Sequence, residues 1–167
     1  DGPITVGDAY IGGSWKTIAV GSLGAGGKSV YALDITNPTS FSGSSVKWEL
    51  AHADLGSLVS KPAIVRLPNG TWAAIFSGGY ENVENRAALF TVNLDTGSII
   101  SVNALTPAND ACGLSSAGVS NGLGAVRAHY TKDGAFYVYA GDLLGHMWRF
   151  EFDSTTGGLK TSYTGSP

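Results

Sequence analysis

The sequence is short of several things, and each shortage excludes something. One cysteine, Cys112, stands in 167 residues, so no disulfide can form within the chain. That fits a reducing compartment or an exported bacterial protein that dispenses with disulfides. Charge is scarce: Asp, Glu, Lys and Arg make up 14%, the net charge is −3, and Lys and Arg form no cluster. Nucleic acid and anionic membranes are therefore poor partners. No apolar run approaches the ~18 residues of a membrane-spanning helix. The opening Asp1-Gly-Pro-Ile-Thr-Val6 has neither a charged leader nor an apolar core, and no initiator Met. We expect a piece of a longer protein, with any export signal outside it.

Glycine is plentiful, 24 residues without a three-residue period, which excludes collagen. With 43% apolar residues the chain can bury a core without a metal or disulfide staple. Its apolar runs are short and punctuated by Gly, Asn, Asp and Pro, the pattern of strands and turns. The clearest are Trp15–Val20, Val30–Ile35, Pro62–Leu67, Trp72–Ser77, Leu89–Leu94, Phe136–Gly141 and Met147–Phe152. Ser45–Leu58 has mixed spacing and reads least clearly.

Three runs superimpose. Tyr31-Ala-Leu-Asp-Ile35, Phe90-Thr-Val-Asn-Leu94 and Trp148-Arg-Phe-Glu-Phe152 are offset by 59 and 58 residues. The alternation sends Tyr31, Leu33 and Ile35, with their counterparts, into a core, and leaves Asp34, Asn93, Arg149 and Glu151 on the other face. A strand precedes each run and a turn follows it, while the intervening loops vary in length. Units of this size with about four strands are propeller blades. The fold class is all-β: about three four-stranded antiparallel blades of a β-propeller, present as a fragment, since propellers close with four or more; a complete sheet assembly of another kind, such as a self-contained β-sandwich, is the alternative. The chain reads as one partial domain, 1–167, with approximate repeats 1–56, 57–122 and 123–167.

Chemical motifs are few. Leu23-Gly-Ala-Gly-Gly-Lys-Ser29 suggests a phosphate loop, but Ser22 stands where the first Gly belongs and a strand follows where a helix is needed. It reads as a hairpin loop. His52, His129 and His146 lack metal-ligand spacing; His146, four residues after Asp142, suggests a hydrogen bond within a hairpin. No nucleophile elbow is present, and Cys112 lies in a Gly/Ser/Asn-rich loop. Before Phe136 only Asp133 offers a carboxylate, beside Lys132, which is too little for calcium. We expect no catalytic and no metal residues.

Val6-Gly-Asp-Ala-Tyr10 and Val20-Gly-Ser-Leu-Gly-Ala-Gly-Gly-Lys-Ser-Val-Tyr-Ala-Leu-Asp-Ile-Thr-Asn-Pro38 resemble the propeller of the PilY1/PilC family of type IV pilus-associated proteins. Lys61-Pro-Ala-Ile-Val-Arg-Leu67, Gly70-Thr-Trp-Ala73 and Tyr139-Ala-Gly-Asp-Leu-Leu-Gly-His-Met-Trp-Arg-Phe150 follow in the family's order. The resemblance covers nearly the whole chain and is weakest over Thr106–Gly122. It implies a seven-bladed, quinoprotein-like propeller in the C-terminal part of a tip-located protein. Such a protein supports pilus biogenesis, opposes retraction, and contributes to adhesion and twitching motility. It also implies export to the pilus tip, outer membrane or surface of a Gram-negative bacterium, with pilins, minor pilins and host or surface receptors as partners. Some members hold calcium in an Asp/Asn-rich loop; here His129-Tyr-Thr-Lys-Asp-Gly-Ala-Phe136 lacks those ligands, so no cofactor is expected.

The leading expectation is a non-enzymatic interaction module whose variable loops make the contacts. These are Gly21–Lys28, Gly78–Arg86 and Ala108–Gly124, with Lys28, Tyr80, Glu81, Asn82, Glu84 and Arg86 as candidate contact residues. The alternative is a fragment of a pyrroloquinoline-quinone-dependent dehydrogenase propeller. Against it stand the single Cys, where that class commonly has an adjacent pair, and the lack of a calcium–quinone cluster. Open sheet edges should take the missing blades or a second copy of the chain.

Overall fold

Twelve strands form among the described residues, and each of the seven apolar runs supplies one of them. The computed structural model describes residues 1–57, 59–105 and 120–165, the last five by their backbone alone. The strands are β1 (Ile4–Ile11), β2 (Ser14–Ser22), β3 (Ser29–Asp34), β4 (Val46–Ala51), β5 (Ala63–Arg66) and β6 (Trp72–Ser77). There follow β7 (Ala87–Asn93), β8 (Ile99–Leu105), β9 (Arg127–Tyr130), β10 (Phe136–Gly141), β11 (Met147–Phe152) and β12 (Leu159–Gly165). They make three antiparallel meanders of four strands, in the orders β1–β4, β5–β8 and β9–β12. Contacts of β1 with β5, and of β5 with β9, put the first strand of each sheet nearest its neighbours, as inner strands of propeller blades lie. The three superimposed runs are β3, β7 and β11, the third strand of each blade.

The second blade is packed on both faces. Ala74, Phe76, Ala88, Phe90 and Val92 meet Ala9, Ile18, Val20, Val30 and Ala32 of the first blade. On its other face Ala73, Ile75, Ala87 and Leu89 meet Phe136, Val138, Trp148 and Phe150 of the third. A strand buried on both faces needs apolar residues at successive positions, which is why β6 and β7 read as unbroken apolar runs. The first blade has one covered face, and β1 accordingly alternates, with Ala9 and Ile11 buried and Ile4, Val6 and Tyr10 exposed.

Here the structure corrects one expectation. Phe90 and Val92, like Trp148 and Phe150, bury themselves on the face toward the preceding blade. Tyr31 and Leu33 occupy that same face in the first blade, where no described sheet covers them, and both are half-buried. Val30 and Ala32, the small partners in the alternation, enter the core instead.

The junction of the first two blades is locked at its outer edge. The Trp48 indole Nε1 donates to the Leu94 carbonyl at 2.9 Å, and Lys47 Nζ meets Asp95 Oδ1 at 2.6 Å. The Trp48 side chain lies on Gly97, where an added Cβ would come within 2.6 Å of it. Gly97 also has φ +74°, so its lack of a side chain serves both the turn and the contact.

Candidate functional site

Up-and-down topology puts the β2–β3, β6–β7 and β10–β11 hairpins at one end of the blades, where the inter-blade linkers also run. The candidate contact residues lie here. Leu23–Gly26 closes as a single tight turn, with Gly26 N–H donating to the Leu23 carbonyl at 3.0 Å, and strand β3 follows. The Gly-rich loop is therefore a hairpin, with no helix to hold a phosphate.

Lys28 reaches across blades, its Nζ donating to the Glu81 carbonyl at 2.5 Å. Glu81 and Asn85 hold left-handed backbones, φ +57° and +51°, uncommon for residues with side chains. Asn82 explains how the loop tolerates them. It is 2% exposed, its Nδ2 donates to the Arg86 carbonyl at 2.6 Å, and its Oδ1 accepts from the Arg86 N–H at 3.1 Å. Arg86 makes a two-pronged pair with Asp54 of the linker, Nε to Oδ1 at 2.6 Å and Nη2 to Oδ2 at 3.0 Å. The hydrogen bond to Asp54 raises the Arg86 pKa further above its already high ordinary value.

Tyr80 is half-buried, and its backbone exchanges hydrogen bonds with Ser57 at 2.8 and 2.9 Å. Its ring lies on Gly122, where a Cβ would fall 2.3 Å from the ring. Of the six candidates, then, Tyr80, Asn82 and Arg86 hold the loop in place, while Lys28, Glu81 and Glu84 stand at the surface. Residues 108–119 of the third candidate loop, with Cys112, lie outside the described residues.

Sequence reading passed over two exposed apolar tips beside these charges. Val83 is 72% exposed, with its N–H tied to the Ala53 carbonyl at 3.0 Å, and Leu143 is 53% exposed on the β10–β11 turn. An apolar residue inside a polar, turn-rich loop was the available signal.

Below Leu143 lies a buried polar knot. The Asp142 carboxylate, wholly buried, accepts from Leu144 N–H at 3.0 Å, His146 N–H at 2.9 Å, Trp148 Nε1 at 2.9 Å and Asn121 Nδ2 at 3.1 Å. His146 Nδ1 lies 3.1 Å from both oxygens, the hairpin hydrogen bond its spacing suggested. Burial pushes the Asp142 carboxyl up, and the hydrogen bonds from Trp148, Asn121 and His146 outweigh it, leaving the pKa below the ordinary carboxylate value. The knot ties the third blade to the linker through Asn121. Among the described residues no three His, Cys, Asp or Glu side chains converge as a metal cage would require.

Three four-stranded blades, stacked with their inner strands adjacent, define a segment of a β-propeller. The family model of the PilY1 beta-propeller domain matches residues 1–162, and the chain belongs to that family. It is 44% identical over 90% of its length to a Type IV pilus biogenesis factor PilY1 homolog of Xylella fastidiosa, covering 11% of that protein. Against Type IV pilus biogenesis factor PilY1 of Pseudomonas aeruginosa strain PAO1 the identity is 41%, over 90% of this chain and 12% of the relative. The crystal structure of the Pseudomonas aeruginosa PilY1 C-terminal domain superimposes with a TM-score of 0.78 at 39% identity, over 90% of this chain and 30% of that one. The chain thus spans about an eighth of these curated relatives.

Proposed function

We propose that this chain is a non-enzymatic propeller segment of a type IV pilus biogenesis factor, acting at the pilus or cell surface of a Gram-negative bacterium. The observation that carries this reading is the 44% and 41% identity, across 90% of the chain, to proteins named as pilus biogenesis factors. Neither name is that of a dehydrogenase, which does not favour the quinone-dependent alternative.

The working surface in this reading is the loop end: Lys28, Glu81, Val83, Glu84 and Leu143, small charged and apolar tips on a stapled base. Its partners are pilins or minor pilins and surface or host receptors. Support of assembly, opposition to retraction, attachment and twitching follow if the propeller is held at the tip. The open face of the first blade, with Ile4, Val6 and Val46 each about half exposed, takes a neighbouring blade or a second copy. No cofactor is needed for any of this.

Deleting the gene of the full-length protein tests the reading. The deletion strain should lose pilin that can be sheared from its surface, and the wild-type gene should restore it. Full piliation of the deletion strain would contradict the proposal.

A further inference from the structure

At the opposite end of the blades, far from the contact loops in the topology, the β1–β2 and β5–β6 hairpins enclose a cleft of about 280 Å³ lined by Tyr10, Trp15, Arg66, Gly70 and Trp72. Both walls belong to this chain. Trp15 is 64% exposed and its cross-strand partner Tyr10, on the uncovered face of the first blade, 52%. The rings are nonetheless held in place. Trp15 meets Tyr10 at 5.8 Å and Trp72 at 6.1 Å, both in edge-to-face contact.

Arg66 stands between this cleft and a second one of about 590 Å³, whose walls include Gly70 and the exposed Tyr130. Its Nε donates to the Gly70 carbonyl at 3.3 Å, and among the described residues no carboxylate pairs with it. The chain carries net charge −3, yet neither cleft has an Asp or Glu in its lining. A largely exposed indole beside a guanidinium with no carboxylate partner fits a ligand with a flat C–H face and a carboxylate on the same small body.

We infer that the Trp15–Arg66 cleft binds an acidic sugar, a uronic or sialic acid at the end of a glycan. The sugar ring lies on Trp15, Tyr10 and Trp72 close its sides, and Arg66 takes the carboxylate through parallel N–H bonds. The larger cleft toward Tyr130 accommodates the next sugar. This assignment rests on the hairpin end alone and stands or falls separately from the loop-end reading above.

The test is surface plasmon resonance of the full-length protein over immobilised oligosaccharides ending in glucuronate or N-acetylneuraminate, their neutral counterparts, and acidic and proline-rich peptides. The expected result is about tenfold preference for the acidic sugars over the neutral ones, which corresponds to about 1.4 kcal/mol. Arg66→Gln should erase that preference while keeping the neutral-sugar affinity, and Trp15→Ala should weaken both by about tenfold or more. Arg66→Gln carries the test by itself if Trp15→Ala disturbs the hairpin. Absence of sugar binding, sugar binding indifferent to Arg66→Gln, or Trp15-dependent binding of peptides in place of sugars would each overturn the assignment.

Discussion

The two ends of the blades solve the problem of presenting loops in opposite ways. At the loop end, buried polar groups fix the backbone from beneath: Asp142 under the β10–β11 turn, Asn82 inside the β6–β7 loop, and Asp54 beneath Arg86. What reaches solvent is a set of small tips on a stapled base. At the tips of the β1–β2 and β5–β6 hairpins, by contrast, the large rings of Tyr10 and Trp15 stand exposed and meet their neighbours through ring contacts. The difference teaches where each end is fragile. Removing one buried group should damage the fold at the loop end, whereas the exposed rings of the β1–β2 hairpin can be exchanged with little structural cost.

The largest expected effect is that of Asp142→Ala. It strands the Trp148 indole, two backbone N–H groups and the Asn121 amide in a buried place, and should cost about 3–5 kcal/mol in denaturant unfolding. Arg86→Ala leaves the buried Asp54 without its partner. Because Arg86 is itself partly exposed, the expected loss is smaller, about 1–2 kcal/mol by the same measurement. If Trp15→Ala destabilised the fold more than Arg86→Ala, the contrast between the two ends would fail.

Acid should act through the same knot. Asp142 has a folded pKa below its ordinary value, so its contribution is fully present above the unfolded value of 3.8 and is lost as pH falls through the folded one. Unfolding followed from pH 6 to pH 2 should therefore steepen below about pH 4, and less so in Asp142→Asn. At the small end of the scale, Val6→Lys on the open face of the first blade should leave stability within about 0.5 kcal/mol. It should, however, reduce the concentration-dependent association expected of the 167-residue chain in sedimentation.

The sequence showed the second blade most readily, because strands buried on both faces are long apolar words. The inner strands β5 and β9 have four residues each, and β9, Arg127-Ala-His-Tyr130, has no apolar alternation to reveal it. Strand β4 fell in the stretch with mixed spacing because only Trp48 of its six residues is fully buried. The three-run repeat located the third strands correctly, yet it could not tell which face of the first one would be covered. That depends on the neighbouring sheet and not on the strand itself, so the alternation sends Tyr31 and Leu33 into a core that they only border.

The loop candidates were half legible for a related reason. Asn82 and Arg86 look like surface chemistry in a polar loop, and only the folded linker shows that Asp54 and the loop's own backbone claim them. Val83, an apolar residue inside the same polar loop, is an exposed tip that the charged candidates overshadow. The hairpin cleft is illegible because Trp15 belongs to the first blade and Arg66 and Trp72 to the second, and each by itself reads as an ordinary strand residue.

In the proposed function the exposed loop tips, and not their stapled base, make the contact that pilus assembly requires. Replacing the whole Tyr80–Arg86 segment would remove both, so the decisive variant is Val83→Ser with Glu84→Gln in the full-length protein. The measurement is pilin sheared from the cell surface, normalised to the folded protein present. The account predicts unchanged protein with clearly less surface pilin; unchanged surface pilin at normal protein levels would contradict it.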